Sequence, residues 1–134
     1  MSNFDKSMAF VLKWEGGYVN NPADPGGETK FGISKRAYPT LNIKELTEEQ
    51  ARAIYAADYW AKAGCDKLEW PMCLVVFDTA VNMGVRRAQD FKGKAFNWTD
   101  YLFMRLAFYS GIGKPQFLKG WVNRVVDLYK TAKE

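Results

Sequence analysis

The sequence predicts a single all-α domain, residues 1–134, interrupted by a glycine- and proline-rich loop with room for a small β-hairpin. Three observations carry this expectation. Apolar side chains recur at helical spacing in five separate segments. Residues 14–34 hold five glycines and two prolines, a composition that breaks regular structure. The chain has 134 residues, 48% of them apolar and 16% aromatic, enough for one core and too little for two comfortable domains. It contains no internal repeat, low-complexity tract or linker.

The first helix is marked by Phe4, Met8, Val11 and Leu12 on one stripe, with Ser2 or Asn3 as its cap and Gly16-Gly17 as its stop. Glu15 then falls in the last turn, where the helix dipole disfavours an ionised carboxylate and raises its pKa. Pro22 and Pro25, with Asn20, Asn21 and Asp24, exclude a helix and leave turns, with a short hairpin ending at residues 29–32. Residues 34–38 can make one helical turn before Pro39. Thr47 and Gln50 form a capping box that opens a helix through Trp60, with Ala51, Ile54 and Tyr55 on one face and Gly64 closing it.

Residues 71–83 are apolar nearly all round and read as the central buried helix, begun by Pro71 and ended by Gly84. Asp78 and Asn82 lie one turn apart on it, so they either satisfy each other and nearby backbone or line a cleft. A basic stretch over residues 86–94 leads to a helix over residues 99–110 with Leu102, Phe103, Leu106 and Ala107 on its core side and Gly111 and Gly113 as breakers. The last helix starts near Pro115 and carries Phe117, Trp121, Val125 and Leu128 inward.

The absence of histidine excludes Ser-His-Asp and Cys-His hydrolases and His-ligated zinc enzymes. Chemistry must use carboxylates, hydroxyls, amines or backbone amides, and no metal or cofactor is expected. Cys65 and Cys73 fit neither a disulfide framework nor a zinc ribbon and are expected as buried thiols. A formal charge of +4 favours anionic surroundings without choosing among them, and no nucleic-acid-binding motif is present. No apolar run approaches the roughly 20 residues of a membrane span. The N-terminus lacks the layout of a signal peptide, so synthesis in a cytoplasm is expected.

Cleaving a glycosidic bond takes one carboxylic acid to protonate the leaving oxygen and a second carboxylate to steer water or stabilise the oxocarbenium-like transition state. Glu15, between Trp14 and Tyr18 at a helix end, suits the acid; Asp24, in an open turn, suits the ionised partner; Thr29 can hold a water with Asp24. The plain alternatives are a solvated glutamate at a helix end and a turn-forming aspartate ahead of Pro25-Gly26. A calcium loop is disfavoured, because the spacing of residues 20–28 misses the alternating ligands and two prolines interrupt it.

The ordered series Glu15-Gly16-Gly17-Tyr18, Asn20, Pro22, Asp24-Pro25-Gly26-Gly27, Thr29 and Gly32-Ile33 resembles the signature of glycoside hydrolase family 108, the N-acetylmuramidases of phages and bacteria. More loosely it resembles the Glu, Asp, Thr and Gly-Ile order of phage-type lysozymes. The likeness continues through Asp58-Tyr59-Trp60, residues 77–84 and Gly120-Trp121-Val122-Asn123-Arg124. The resemblance implies a lysozyme-like fold and Glu15 as catalytic acid, with Asp24 and Thr29 completing the catalytic set. Peptidoglycan glycan strands become the expected partner, with Asn82 beside the cleft and Trp14, Tyr18 and Phe31 as candidate sugar-stacking faces. Residues 1–84 hold this signature; residues 85–134 resemble a shortened peptidoglycan-binding region, in which Arg86, Arg87, Lys92 and Lys94 either compensate in binding or form a solvated face. A phage or prophage endolysin acting at the wall, behind a separate membrane-permeabilising protein, is the setting this implies. A lytic transglycosylase and a non-catalytic wall-binding or phage structural protein remain the alternatives.

Overall fold

The computed structural model describes residues 1–23 and 25–134. Helix α1 (Asn3–Glu15) starts at Ser2, whose hydroxyl accepts the Asp5 N–H at 3.0 Å, and stops at Gly16, whose φ of 73° only glycine adopts freely. Strands β1 (Thr29–Lys30) and β2 (Ile33–Ser34) form an antiparallel hairpin, Thr29 opposite Ser34 and Lys30 opposite Ile33. A single helical turn follows, closed by the Tyr38 N–H donating to the Ser34 carbonyl at 3.0 Å.

Helix α2 (Glu48–Tyr55) opens with both halves of the expected capping box, the Gln50 N–H on Thr47 Oγ1 at 3.1 Å and the Thr47 N–H on Gln50 Oε1 at 2.9 Å. It does not run on as an α-helix to Trp60. From Ala56 to Ala61 the backbone widens into a π-helix, and a 3₁₀ turn, Cys65–Lys67, follows the left-handed Gly64. Helices α3 (Met72–Met83), α4 (Val85–Lys94), α5 (Trp98–Ile112) and α6 (Pro115–Ala132) complete the chain.

Helix α3 is the axis of the fold, as its all-round apolar sequence requires. Every residue from Cys73 to Ala80 is buried, and α1, α4, α5, α6 and the π-helix all pack on it. Phe77 is the hub of an aromatic cluster, with the Trp60 and Tyr55 rings edge-on to it at 5.2 and 6.2 Å and Phe4 tilted at 5.9 Å. The domain is helical apart from its one two-stranded hairpin among the described residues.

Three expectations are corrected. The basic stretch over residues 86–94 is itself a helix, α4; its single buried residue is Ala88, so little apolar periodicity announces it. Helix α5 runs through Gly111 and ends at Gly113, and its core side is Tyr101, Leu102, Arg105 and Tyr109. Phe103 is 70% exposed and Ala107 lies outside with it. On α6, Val125 and Leu128 are buried as expected whereas Phe117 is exposed. In both helices the apolar count was right and the phase was set by a buried arginine, described below.

Truncation should separate the two phenylalanines. Phe77→Ala is expected to cost about 3–5 kcal/mol and Phe103→Ala no more than about 0.5 kcal/mol, measured by urea unfolding.

Candidate active site

Glu15 is the last residue of α1, and its side chain is 22% exposed. Burial pushes its pKa above the ordinary carboxylate value. Arg124 on α6 pulls the other way through a 3.2 Å contact from Nη1 to Oε1, and the nearby Asp78 charge pushes up again. A carboxyl disfavoured as an anion, yet reachable by solvent, is suited to giving up a proton.

The weak hold of Arg124 on Glu15 has a visible cause. The stronger bonds of its guanidinium go to the fully buried Asp78 of α3: Nη2 to Oδ1 at 2.8 Å, with Nε at 3.2 Å from the same oxygen. Arg105 of α5 takes the other oxygen, Nη1 to Oδ2 at 2.8 Å. Burial alone would raise the Asp78 pKa, but the two arginines outweigh it and hold this carboxyl below the usual range. Asp78 therefore stays ionised, and its charge offsets part of the pull of Arg124 on Glu15.

The network continues away from Glu15. Arg105 Nη1 donates to Thr79 Oγ1 at 3.1 Å and its Nε to the Tyr109 hydroxyl at 2.9 Å, and Tyr109 donates in turn to Asn82 Oδ1. Asp78 and Asn82 thus do not satisfy each other: Asp78 is matched by arginines of α5 and α6, and Asn82 by Tyr109 of α5.

The hairpin faces the same carboxyl. Phe31 and Gly32 occupy its turn with φ of 54° and 81°, the positive-φ pair of a tight hairpin. The Tyr55 hydroxyl donates to the Phe31 carbonyl at 2.7 Å and fixes this conformation. Gly32 lies so close that an added Cβ would stand 2.5 Å from Tyr55 Oη and 2.9 Å from Glu15 Cβ and Cγ. Glycine is required there both for φ and for space.

Thr29 stands on β1, its backbone N–H and carbonyl both bonded to Val19 at 2.8 Å, one residue pair from the turn that touches Glu15. Asp24, the expected second carboxylate, lies outside the described residues. Phe31 is half-buried against the core, and Tyr18 is exposed, its hydroxyl donating to Glu28 at 2.6 Å. Trp14 turns its indole N–H to Asp127 of α6 at 2.8 Å, where Lys13 also donates at 2.8 Å. Asn82 is half-buried and, among the described residues, is linked to Glu15 through the chain of Tyr109, Arg105, Asp78 and Arg124. Arg105 carries no mark of a site residue in the sequence, Tyr55 stands out only as part of a helix's apolar face, and Arg124 only as the end of a motif. A signal was present for the ion cluster: Asp78 is the one charged residue of the apolar α3, and Arg105 stands among apolar neighbours on α5, so each needs an opposite charge.

Helices wrapped on a buried central rod, with a short hairpin laid against a half-buried glutamate at the end of the first helix, make the lysozyme-like fold. The chain belongs to the glycosyl hydrolase 108 family, whose model matches residues 8–84. Among solved structures it is similar to SagA of Brucella abortus, at 29% identity with a TM-score of 0.85, the match covering 96% of this chain and 92% of that one. That match takes in the C-terminal helices as well as the signature region. No curated protein matches the chain. By family it is a glycoside hydrolase, of the general kind directed at peptidoglycan.

Two outcomes are expected. Gly32→Ala should lower stability by about 2 kcal/mol or more, since a left-handed alanine alone costs about 1–2 kcal/mol and the methyl also collides with Glu15 and Tyr55; urea unfolding measures this. The second concerns pH. Because the folded pKa of Glu15 lies above the ordinary 4.5, the folded state holds this proton more tightly and loses stability as pH rises from that value through the folded pKa. Glu15→Gln removes the loss, so thermal scans should show its melting temperature gaining on the parent's across that interval.

Proposed function

We propose that the protein is an N-acetylmuramidase that hydrolyses the β-1,4 bond between N-acetylmuramic acid and N-acetylglucosamine in peptidoglycan. Glu15 is the general acid: it passes its proton to the leaving glycosidic oxygen, and the carboxylate so formed meets the Arg124 guanidinium, 3.2 Å away. Asp24 is the ionised partner that stabilises the developing positive charge or steers water, and Thr29 holds that water with it. Tyr18, Phe31 and Asn82 are the side chains assigned to the sugar chain. The observation that carries the reading is the half-buried carboxyl of Glu15, its pKa raised by burial, pressed against Gly32 of the hairpin. In a phage or prophage setting, such an enzyme would be made in the host cytoplasm and reach the wall through a lesion opened by another protein.

Digestion of purified peptidoglycan tests this. The parent should clear the suspension and release fragments with reducing N-acetylmuramic acid ends, and Glu15→Gln should be slower by about a hundredfold or more. A parent-like rate for Glu15→Gln would remove Glu15 from the acid role. Anhydro ends in the mass spectrum would place the chain among lytic transglycosylases. Sedimentation with the wall without release of sugar would make it a binding protein.

A further inference from the structure

We propose that the outer face of α5 and α6 docks on an anionic lipid surface. Most large apolar side chains left in solvent belong to this part of the molecule: Phe96 is 95% exposed and Phe103 70%, with Val122, Val126 and Tyr129 exposed on α6. Between the two helices runs a groove of about 210 Å³ lined by Thr99, Leu102, Phe103, Leu106, Val126 and Tyr129 among others. It is open and apolar, and no element among the described residues covers Phe103 or Phe96. An exposed apolar patch of this kind marks an interaction site.

Charge selects the occupant. Residues 85–134 hold ten of the nineteen basic side chains and four of the fifteen acidic ones, while residues 1–84 carry nine basic and eleven acidic, a net −2. Two of the ten, Arg105 and Arg124, are buried on Asp78; of the other eight, Lys92 is half-buried and seven are exposed. Lys133 stands over the Tyr129 ring at 5.0 Å, and Tyr129 stacks on Trp98 at 5.5 Å, so a cation sits directly on the apolar face. Lys130 and Lys119 flank the Val122, Val126, Tyr129 stripe at helical spacing, and Lys94 neighbours Phe96 in sequence.

Aromatic and aliphatic side chains bordered by lysines are the composition that seats at a headgroup boundary, rings among the acyl chains and ammonium groups on the phosphates. A soluble anionic polymer would pair the lysines and leave Phe96 and Phe103 in water. A second copy would bring two positive faces together. No helix among the described residues is long and apolar enough to cross a membrane, so the contact is with the surface. The stripe of Val122, Val126 and Tyr129 lies about 140–200° around α6 from Arg124 at 100° per residue, which leaves the Glu15 side of the molecule free while this face is occupied.

Co-sedimentation of the whole chain with vesicles tests the proposal, independently of which bond the enzyme cleaves. Vesicles of phosphatidylcholine with phosphatidylglycerol should retain the protein, with retention falling as salt rises, and vesicles of phosphatidylcholine alone should not. The double variant Phe103→Ser, Val126→Ser should weaken retention about tenfold or more, and Lys130→Gln and Lys133→Gln about fivefold each. All should digest purified peptidoglycan as the parent does and keep its helical circular dichroism. Three results would overturn the proposal. One is no retention on the anionic vesicles. Another is retention indifferent to Phe103→Ser, Val126→Ser, which would mean charge alone. The third is a dimer in sedimentation equilibrium that this double variant dissolves, with no vesicle binding.

Discussion

One buried carboxylate organises the molecule. Asp78, fully enclosed in α3, has a guanidinium on each oxygen, Arg105 from α5 and Arg124 from α6. Removing one partner of such a group typically costs about 3–5 kcal/mol, because a charge is left uncompensated in a poor dielectric. Apolar side chains of similar volume would hold the three helices together about as well. What the ions add is direction: Arg124 cannot serve Asp78 without also presenting Nη1 to Glu15, so the packing of the core and the placing of the candidate acid are one event.

The same arrangement accounts for the temper of that acid. An arginine at 3.2 Å with no other partner would drive a glutamate towards its anion. Here the arginine is already matched, and the matching charge lies on the far side of it. Burial then prevails, and the pKa of Glu15 lies above the ordinary carboxylate value. The proton affinity of Glu15 and the support of the core thus come from a single set of four side chains, Glu15, Arg124, Asp78 and Arg105.

Much of this was legible in the residues alone. Ser2, Gly16, Thr47 with Gln50, Gly64 and Pro71 mark element ends through local chemistry, and the structure uses each of them. The buried identity of α3 followed from a run of apolar residues too long for one face. What stayed hidden is non-local. Phe103 and Leu102 are equally apolar, and only knowing that Arg105 must face Asp78 decides which of them turns inward. The π-helix at Ala56–Ala61 has no propensity signature, and it carries Asp58 and Tyr59 to the Tyr38 side of the site. At the hairpin, glycine density flagged a held backbone, while its reason, the pressure of Gly32 on Glu15 and Tyr55, needs three separate segments in view.

The two thiols have a consequence of a different kind. Cys65 and Cys73 are sealed from solvent, and burial pushes Cys65 up to about 12. A thiol reacts as its anion, so neither residue exchanges with glutathione or scavenges oxidant while the chain is folded. The two thiols, near enough for the charge of one to be felt by the other, thus serve the folded chain as neutral core side chains and not as nucleophiles.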